Sequence, residues 1–444
     1  MRRRDTIKLA VSSFASLKLI EMGFSTAASN TAKITIDWTR SQAQTTSFTF
    51  GSNDYEITIP DRAADKIYQK RLAGLGVGLI RVHHAGLCER WTNPQKKTWD
   101  EAKIKAGYNV SYPQRPIIIQ NIPGWPIWMK NQNGILDGSE HDNYAAFCAE
   151  LVKIITRRLG LRQVTYWEPF NEKDMLYQKA GKLDELWQIY NKVAKAMKAV
   201  NPQIKVGGPA LNWGDTGKLA PFLRACRANV DFISWHSYAS GDAQEPTQKL
   251  MSRTSDYAHQ VYEFRKLARQ YIPHRKVPLL LGEYNINYSW DSGENRQNTH
   301  IGAVWFASVL KHLADAGIDM ATSWHLKDGI YGMIDPQNHL RQVAIVFSWG
   351  IKYLTGRVMY ASSTHPLIEA MAVRQKNGKR SLLLINKSSD RTQVRLEAKN
   401  LTTNSNVSVF YLDGNGTRTS KLAAIGLKNK PLSLPPYSLA LLRL

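Results

Sequence analysis

The chain has 444 residues, enough for one large folded domain and a smaller accessory module. Its formal net charge of +23 favours negatively charged partners such as acidic polysaccharides, anionic cell surfaces or nucleic acids. The basic residues are scattered, however, and no nucleic-acid recognition motif is present. We therefore expect no nucleic-acid partner. A generally basic soluble surface is the simplest interpretation of the charge, and an anionic cell surface or matrix is the alternative partner.

The cysteine pattern is not that of a disulfide-rich domain or of a zinc-binding domain. Cys88, Cys148 and Cys226 are odd in number and widely separated, and no Cys/His pair has metal-ligand spacing. This pattern argues against a disulfide framework and against a zinc site. We predict three buried free thiols, and we expect neither a metal ion nor a cofactor.

Residues 1–30 have the composition of an export signal. Three consecutive arginines at positions 2–4 are followed by Ile7-Lys8, an apolar stretch and the small-residue segment STAASNTA. The order resembles a bacterial twin-arginine signal, which implies a periplasmic or extracellular location. The alternative is a disordered basic N-terminus. No later stretch of 18 or more apolar residues is present, so we expect no membrane span in the mature protein.

Residues 46–356 alternate between short β-type segments and longer helical segments. Seven of the helical segments repeat apolar residues at intervals of three and four, the last being QVAIVFSWGIKYLTG. Residues 86–114 do not, so a long loop with a short helix is predicted there. Eight strands with intervening helices indicate a (β/α)₈ TIM barrel. The predicted strands are SFTFGSND, VGLIRVHH, RPIIIQNIP, RQVTYWEPFNE, QIKVGGPAL, VDFISWHSYAS, VPLLLGEYNIN and DMATSWHL.

The pattern changes after the barrel. Residues 357–444 contain short β-type segments separated by Gly, Asn and Pro turns, which is typical of a β-sandwich domain. Residues 31–45 also have strand character, and we expect this strand to pair with the C-terminal sheet. No low-complexity linker separates the two modules, so we expect them to pack tightly.

Two glutamates at predicted strand ends are the candidate catalytic groups. Reactive side chains in such a barrel lie at the C-terminal ends of the strands, where Glu172 and Glu283 end the fourth and seventh. Two carboxylates with nearby aromatic rings, which suit sugar faces, indicate glycoside hydrolysis. Each candidate also has a purely structural explanation. A strand-end glutamate can be a surface residue, the tryptophans can pack in a loop that covers the site, and the histidines can belong to the core. The other candidate site residues are Arg81, His83, Trp125, Trp128, Asn171, His236, Tyr238, Tyr284 and Trp324.

Four segments carry a family resemblance. Residues 167–172 (WEPFNE) resemble the strand-four motif of the clan A glycoside hydrolases, in which Asn precedes the acid/base Glu. Residues 281–285 (LGEYN) resemble their strand-seven nucleophile motif. Residues 80–83 (IRVH) and 234–238 (SWHSY) are similar to strand ends of glycoside hydrolase family 39, in which a small β-sandwich also follows the barrel. One departure is Lys173, which replaces the usual proline after Asn-Glu.

The resemblance covers nearly all of residues 33–444 and implies a retaining mechanism. Glu283 would be the nucleophile and Glu172 the acid/base, with carboxyl groups about 5–5.5 Å apart. Arg81 and Tyr238 would stabilise the charged form of Glu283, and this charge would favour the protonated form of Glu172. Once Glu283 is glycosylated the charge disappears, and Glu172 can then act as a base.

The resemblance also implies roles in substrate binding. Asn171 would hydrogen-bond the sugar 2-hydroxyl, and Trp324 would form the floor of the subsite for the attacked sugar. Two further acids lie close to Glu172 in sequence. We predict that Glu168, inside the strand, is a structural ion-pair partner. We predict that Asp174 is an N-cap or a residue of a solvated loop.

The substrate is a polysaccharide or oligosaccharide in the leading hypothesis. Family 39 includes exo-acting β-xylosidases and α-L-iduronidases as well as enzymes that cut bacterial exopolysaccharides internally. Predicted export, positive charge and several tryptophans favour endo-cleavage of an extended exopolysaccharide, either acidic or neutral. We also expect the protein to be a monomer. The alternatives are an exo-glycosidase of the β-xylosidase or α-L-iduronidase type and a non-catalytic polysaccharide-binding barrel.

Overall fold

The computed structural model describes residues 31–55, 58–59, 65–108, 115–290, 293–399, 406–423 and 430–444. The predicted export signal lies outside the described residues. None of the helices in the described ranges combines the length and apolar character needed to cross a bilayer. Cys88, Cys148 and Cys226 are buried free thiols, as predicted.

A ring of parallel strands forms the larger domain and confirms the predicted barrel. Each strand pairs in parallel with its neighbours, and the first strand pairs with the second and the eighth. The strands are Gly51–Asp54, Leu79–Val82, Ile117–Asn121, Val164–Glu168, Gly208–Leu211, Ile233–Ser240, Leu279–Asn287 and Met320–Ser323. One prediction was wrong: Ser47–Phe50 is a 3₁₀ helix capped by Thr46, so the first strand begins only at Gly51.

The fifth strand is divided into two pieces where the ring closes. Lys205–Val206 pairs with the fourth strand, whereas Gly208–Leu211 pairs with the sixth. Between them lies Gly207, where a Cβ would be 2.4 Å from the carbonyl oxygen of Phe232 and 2.3 Å from its ring. A side chain has no room at this position, so the close approach of the two backbones requires glycine.

Amphipathic helices surround the barrel. In Leu183–Val200 the buried residues recur at intervals of three and four, which places one apolar face against the strands. The other long helices are Lys66–Leu75, His141–Lys153, Thr216–Cys226, Asp256–Tyr271, His300–Asp315 and Gln342–Tyr353. The short helices are Leu87–Trp91, Glu101–Tyr108, Asp174–Lys179 and Thr247–Ser252. The first two flank a hairpin, Thr92–Asn93 with Thr98–Trp99, in the unit that lacks an amphipathic pattern.

The second domain is a nine-stranded, mostly antiparallel sheet. The N-terminal strand Thr31–Thr45 belongs to it and pairs with Gly356–Ser363 and Thr392–Lys399. The remaining strands are Ile368–Arg374, Arg380–Asn386, Asn406–Asp413, Gly416–Ala423, Leu432–Leu434 and Ser438–Arg443.

Alternate residues of this sheet face two different cores. Leu383 and Leu441 join the core of the barrel, whereas their neighbours Leu382 and Leu442 lie in a separate core within the C-terminal domain. The sheet therefore encloses its own core on one face and seals the barrel with the other. The two domains pack together through a continuous apolar interface.

A buried polar cluster also joins the two domains. Glu369 and Lys387 of the C-terminal sheet form an ion pair of 2.5 Å. Ser308 and His312 of the helix His300–Asp315 contact the two carboxylate oxygens of Glu369 at 2.6 and 2.9 Å. Lys387 also donates to Thr254 on the barrel side at 3.0 Å.

Candidate active site

Glu283 is held inside the mouth of the barrel by two donors. Side chains alternate along the strand Leu279–Asn287, which directs Glu283 toward the barrel axis. Its Oε1 accepts a hydrogen bond from Nη1 of Arg81 at 2.8 Å, and its Oε2 accepts one from the hydroxyl of Tyr238, also at 2.8 Å. Only 5% of Glu283 is exposed. Both contacts place hydrogen-bond donors on the carboxylate that would attack as the nucleophile.

Arg81 is the centre of a buried network at the end of the second strand. Its Nε donates to Glu168 at 2.7 Å, Nη1 also donates to Asn53 at 3.0 Å, and Nη2 donates to Asn171 at 2.7 Å. Burial opposes its charge, but the carboxylates of Glu168 and Glu283 outweigh burial and raise the pKa of Arg81. Glu168 is therefore the structural ion-pair partner that the sequence predicts.

Glu172 occupies an unusual backbone position at the end of the fourth strand. Its φ is +49°, a left-handed conformation that side-chain-bearing residues rarely adopt. Its backbone N–H donates to the carbonyl of Ala210 at 3.0 Å, and Ala210 also has a positive φ, of +51°. Strained backbone of this kind is concentrated at functional sites. Nothing in the amino-acid pattern indicates this conformation.

His236 lies between the two glutamates. Its Nδ1 is 2.6 Å from Oε1 of Glu172, and its Nε2 is 3.7 Å from Oε1 of Glu283. The ring is fully buried, which disfavours its charged form, but the two carboxylates outweigh burial and raise the pKa of His236. The imidazole thus hydrogen-bonds the more exposed carboxylate and fixes its direction, while its other nitrogen lies close to Glu283.

The separation of the carboxylates agrees with a retaining mechanism. One oxygen of Glu172, one of Glu283 and one ring nitrogen of His236 all lie within 4.8 Å of one another. Inverting enzymes need a wider gap of about 6.5–9.5 Å to admit a water molecule between the carboxyl groups. These three side chains also have the donor types of a metal site, although a cation there would neutralise the charge on which acid–base exchange depends.

His83 is a neutral imidazole beside the candidate nucleophile, with one donor nitrogen and one acceptor nitrogen. Burial, assisted by the nearby Arg81, lowers the pKa of His83 to about 3. Nδ2 of Asn121 donates to Glu168 at 3.0 Å, which identifies the other amide atom of Asn121 as the oxygen. This oxygen, Oδ1, therefore accepts a hydrogen bond from Nδ1 of His83 at 2.8 Å. This assigns the tautomer and leaves Nε2, 3.9 Å from Oε1 of Glu283, without a proton.

Asn171 and Trp324 contact residues that surround the two carboxylates. Arg81 occupies Oδ1 of Asn171, which leaves its Nδ2 to donate to a ligand. Trp324 packs with Tyr238 and Tyr331 in a small buried cluster, and its ring centre is 5.6 Å from that of His83. Both positions suit the roles predicted for these two residues, which stay predictions.

Two candidate substrate-binding residues lie elsewhere. Tyr284 is fully buried and packs against Phe306 of the surrounding helices, because strand alternation turns it away from the side that Glu283 faces. Trp128 packs edge-on against Phe147 and lines a cavity of about 400 Å³ whose lining includes neither glutamate. The structure therefore does not bring Tyr284 or Trp128 together with the other site residues.

Asp174 also differs from its prediction. It is the first residue of a short helix and is buried, not solvated. It forms an ion pair of 2.7 Å with the buried Lys218 and accepts a backbone hydrogen bond from Asn212 at 3.1 Å. Burial raises the pKa of Asp174 despite these partners.

Sequence reasoning missed the polar residues that support the site. Asn53 and Asn121 lie at the ends of the first and third strands, and both connect to the Arg81 network. Their positions at strand ends were the feature of the sequence that could have identified them as site residues. The loops after the third, fifth and seventh strands add exposed apolar side chains, namely Ile127, Trp213, Tyr288 and Trp290.

Residues 130–337 match the model for Glycosyl hydrolases family 39, which confirms the predicted resemblance. A β-xylosidase from Geobacillus stearothermophilus is 29% identical over 201 residues, covering 43% of this chain and 39% of that protein. A β-xylosidase from Caldicellulosiruptor saccharolyticus is 30% identical over 133 residues, covering 28% of this chain and 25% of that protein. The chain thus spans less than half the length of these curated relatives.

Solved glycoside hydrolases share the fold. A monomeric β-xylosidase from Caulobacter crescentus CB15 matches with a TM-score of 0.68 and 15% identity over 93% of this chain and 99% of that one. The GH39 enzyme from Xanthomonas axonopodis pv. citri matches with a TM-score of 0.67 and 14% identity over 93% of this chain and 96% of that one. At this identity the likeness supports the barrel and its accessory sheet.

Proposed function

We propose that this chain is a retaining glycoside hydrolase in which Glu283 is the nucleophile and Glu172 the acid/base. The observation that supports this most directly is the short separation of two carboxyl groups in different surroundings. Glu283 is buried between a guanidinium and a phenol, whereas the side chain of Glu172 is 39% exposed beside His236. One carboxyl group is held by two donors, as a nucleophile requires, and the other is open to the cleft, as a proton donor requires.

The chemistry proceeds in two displacements. Glu283 attacks the anomeric carbon while Glu172 transfers its proton to the glycosidic oxygen, which leaves as an alcohol. Glu172, now ionised, then takes a proton from water, and the resulting hydroxide attacks the same carbon and releases Glu283. Each displacement inverts the anomeric carbon, so the product retains the configuration of the substrate.

Early-time NMR of the product anomer tests this assignment. The first product formed is expected to have the substrate's configuration, and an inverted first product would refute the proposal. Glu283→Gln keeps the size of the side chain but removes its charge, so turnover is expected to fall by several orders of magnitude. Near-normal rates for this variant would show that another residue is the nucleophile.

The exposed rim favours an endo-acting enzyme on an extended polysaccharide, and we propose a bacterial exopolysaccharide. Trp213 and Trp290 are 42% and 57% exposed and follow different strands, the fifth and the seventh. Aromatic platforms on separate loops can hold several sugar units at once. Sizing of early products decides the matter, since oligosaccharides are expected and release of monosaccharide alone would indicate exo-cleavage.

An exo-acting β-xylosidase is the second candidate. It is favoured by the two curated relatives, which are β-xylosidases. Efficient release of xylose from xylobiose, with no cleavage of long polymers, would support this alternative. A non-catalytic polysaccharide-binding barrel would show binding without any turnover of either substrate.

We also propose that residues 1–30 direct export and that the protein acts as a monomer on anionic material outside the cytoplasm. The basis is the arginine-rich start and the net charge of +23. In a bacterial host, replacing the three arginines at positions 2–4 with lysine is expected to retain the full-length protein in the cytoplasm. Unchanged export of that variant would exclude the twin-arginine route.

A further inference from the structure

Lys173 directly follows Glu172 and has an unusual environment. Its Nζ lies 4.9 Å from the ring centre of Trp125, a cation–π contact. The lysine also packs over Gly124, where a Cβ would be 2.6 Å from Cε and 2.8 Å from Nζ of Lys173. A glycine with a φ of +158° thus leaves the space that the ammonium group occupies. The loop after the third strand is shaped to hold this side chain.

Lys173 is partly buried, and its ammonium group lacks the carboxylate partner that the fully buried lysines of the described ranges have. Lys218 pairs with Asp174 at 2.7 Å, Lys387 with Glu369 at 2.5 Å and Lys327 with Asp65 at 3.5 Å. Within the ranges that the structure describes, no carboxylate oxygen lies within ion-pair distance of Lys173, and Glu89 acts on it only from farther away. Burial lowers the pKa of Lys173. A cation–π contact offsets only part of the cost of withdrawing such a charge from water.

The position of Lys173 relates it to the leaving group. Glu172 must contact the glycosidic oxygen that departs with the leaving sugar, and Lys173 is the next residue along the chain. We propose that Lys173, held by Trp125 and Gly124, binds the carboxylate of a uronic acid in the leaving-group subsite. This inference rests on the proposed function and assigns a residue that binds the acidic group of the substrate.

A matched pair of polymers tests the inference. The substrate is a bacterial exopolysaccharide that contains uronic acids, and the control is the same polymer after reduction of its carboxyl groups to alcohols. Lys173→Met keeps most of the side-chain length but removes the charge. We expect kcat/KM of this variant to fall about 10-fold to 100-fold on the acidic polymer, as for loss of a charged hydrogen bond. Its rate on the reduced polymer is expected to change less than twofold.

Two further variants complete the design. Lys173→Arg keeps the charge and should recover part of the activity on the acidic polymer. Lys179→Met alters an exposed lysine of the following helix and should leave both rates unchanged. Thermal unfolding of each variant checks that the fold is intact, and should Lys173→Met prove unstable, Lys173→Gln replaces it.

The outcomes separate this inference from the proposed function. Equal losses on both polymers, no loss on either, or a wild-type preference for the reduced polymer would overturn the role of Lys173. A neutral aryl glycoside with a small leaving group reports the catalytic step alone. If wild type and Lys173→Met both hydrolyse this aryl glycoside with retention of configuration, the catalytic assignment holds. That conclusion does not depend on the results with the two polymers.

Discussion

Nδ1 of His236 lies 2.6 Å from Oε1 of Glu172, although the two residues are 64 positions apart. The contact fixes the direction of the carboxyl group that must protonate the leaving oxygen. We expect His236→Ala to lower kcat/KM most for substrates with poor leaving groups, because these depend most on the acid. His236→Asn, which can place an amide near the position of Nδ1, should restore part of the activity. A series of aryl glycosides measures this, and a loss independent of the leaving group would contradict a positioning role.

Removal of the acid itself should separate two classes of substrate. Glu172→Ala is expected to reduce hydrolysis of natural glycosides by several orders of magnitude but to spare the first step for activated aryl glycosides. Azide should then restore turnover by replacing the base-assisted water, and a glycosyl azide of retained configuration should accumulate. Equal losses on both classes, without rescue by azide, would count against the acid/base assignment.

The hydroxyl of Tyr238 is the second donor to Glu283, at 2.8 Å. Tyr238→Phe removes this donor and keeps the ring, so we expect kcat/KM to fall roughly 10-fold to 150-fold, the range for a hydrogen bond to a charged group. Tyr331→Phe is the matched control, since the Tyr331 hydroxyl donates to the carbonyl of Ser289 in the same aromatic cluster. Similar losses in both variants would attribute the effect to packing.

Glu369 should make the stability depend on pH. Burial opposes its charge, but the hydrogen bond with His312 and the charge of Lys387 outweigh burial and lower the pKa of Glu369 to about 2. Because the folded-state pKa is below the unfolded one, the stabilisation is complete above about pH 4.5 and is lost as the pH falls toward 2.

Urea unfolding at several pH values checks this. We expect Glu369→Gln to lower the free energy of unfolding by about 3 kcal/mol at pH 7 and by progressively less below pH 4.5. Glu397→Gln is the control because its ion pair with Lys33 is exposed, so a change below about 1 kcal/mol is expected. A difference between Glu369→Gln and wild type that stays constant from pH 7 to pH 3 would contradict the assignment.

The closure of the barrel depends on Gly207. Gly207→Ala would place a methyl group 2.4 Å from the Phe232 carbonyl, so we expect a loss of several kcal/mol or failure to fold. Gly74→Ala lies in the helix Lys66–Leu75 with open space around its Cβ, and should stabilise the protein by up to about 1 kcal/mol. Thermal unfolding of both variants measures the contrast, and equal stability would contradict the close approach.

Local periodicity predicted the barrel, and strand-end position predicted Arg81, His236 and Tyr238 beside the two glutamates. The prediction for Tyr284 is wrong because side chains alternate along a strand, which directs Glu283 and its neighbour to opposite sides. The buried position of Asp174 could not be predicted from the local sequence, because its ion-pair partner Lys218 is 44 residues away. Non-local contacts of this kind depend on how the loops fold, and loop conformation has no periodic signal.

The two glutamates are anchored differently, although His236 lies close to both carboxyl groups. Glu283 is attached to the Arg81 network, whereas the backbone N–H of Glu172 is bonded to Ala210 of the divided fifth strand. A substitution in that strand can therefore shift the proton donor relative to the leaving group and leave the attacking oxygen in place. Divergence among barrels of this kind can then change the preferred leaving group without rebuilding the half of the site that forms the covalent bond.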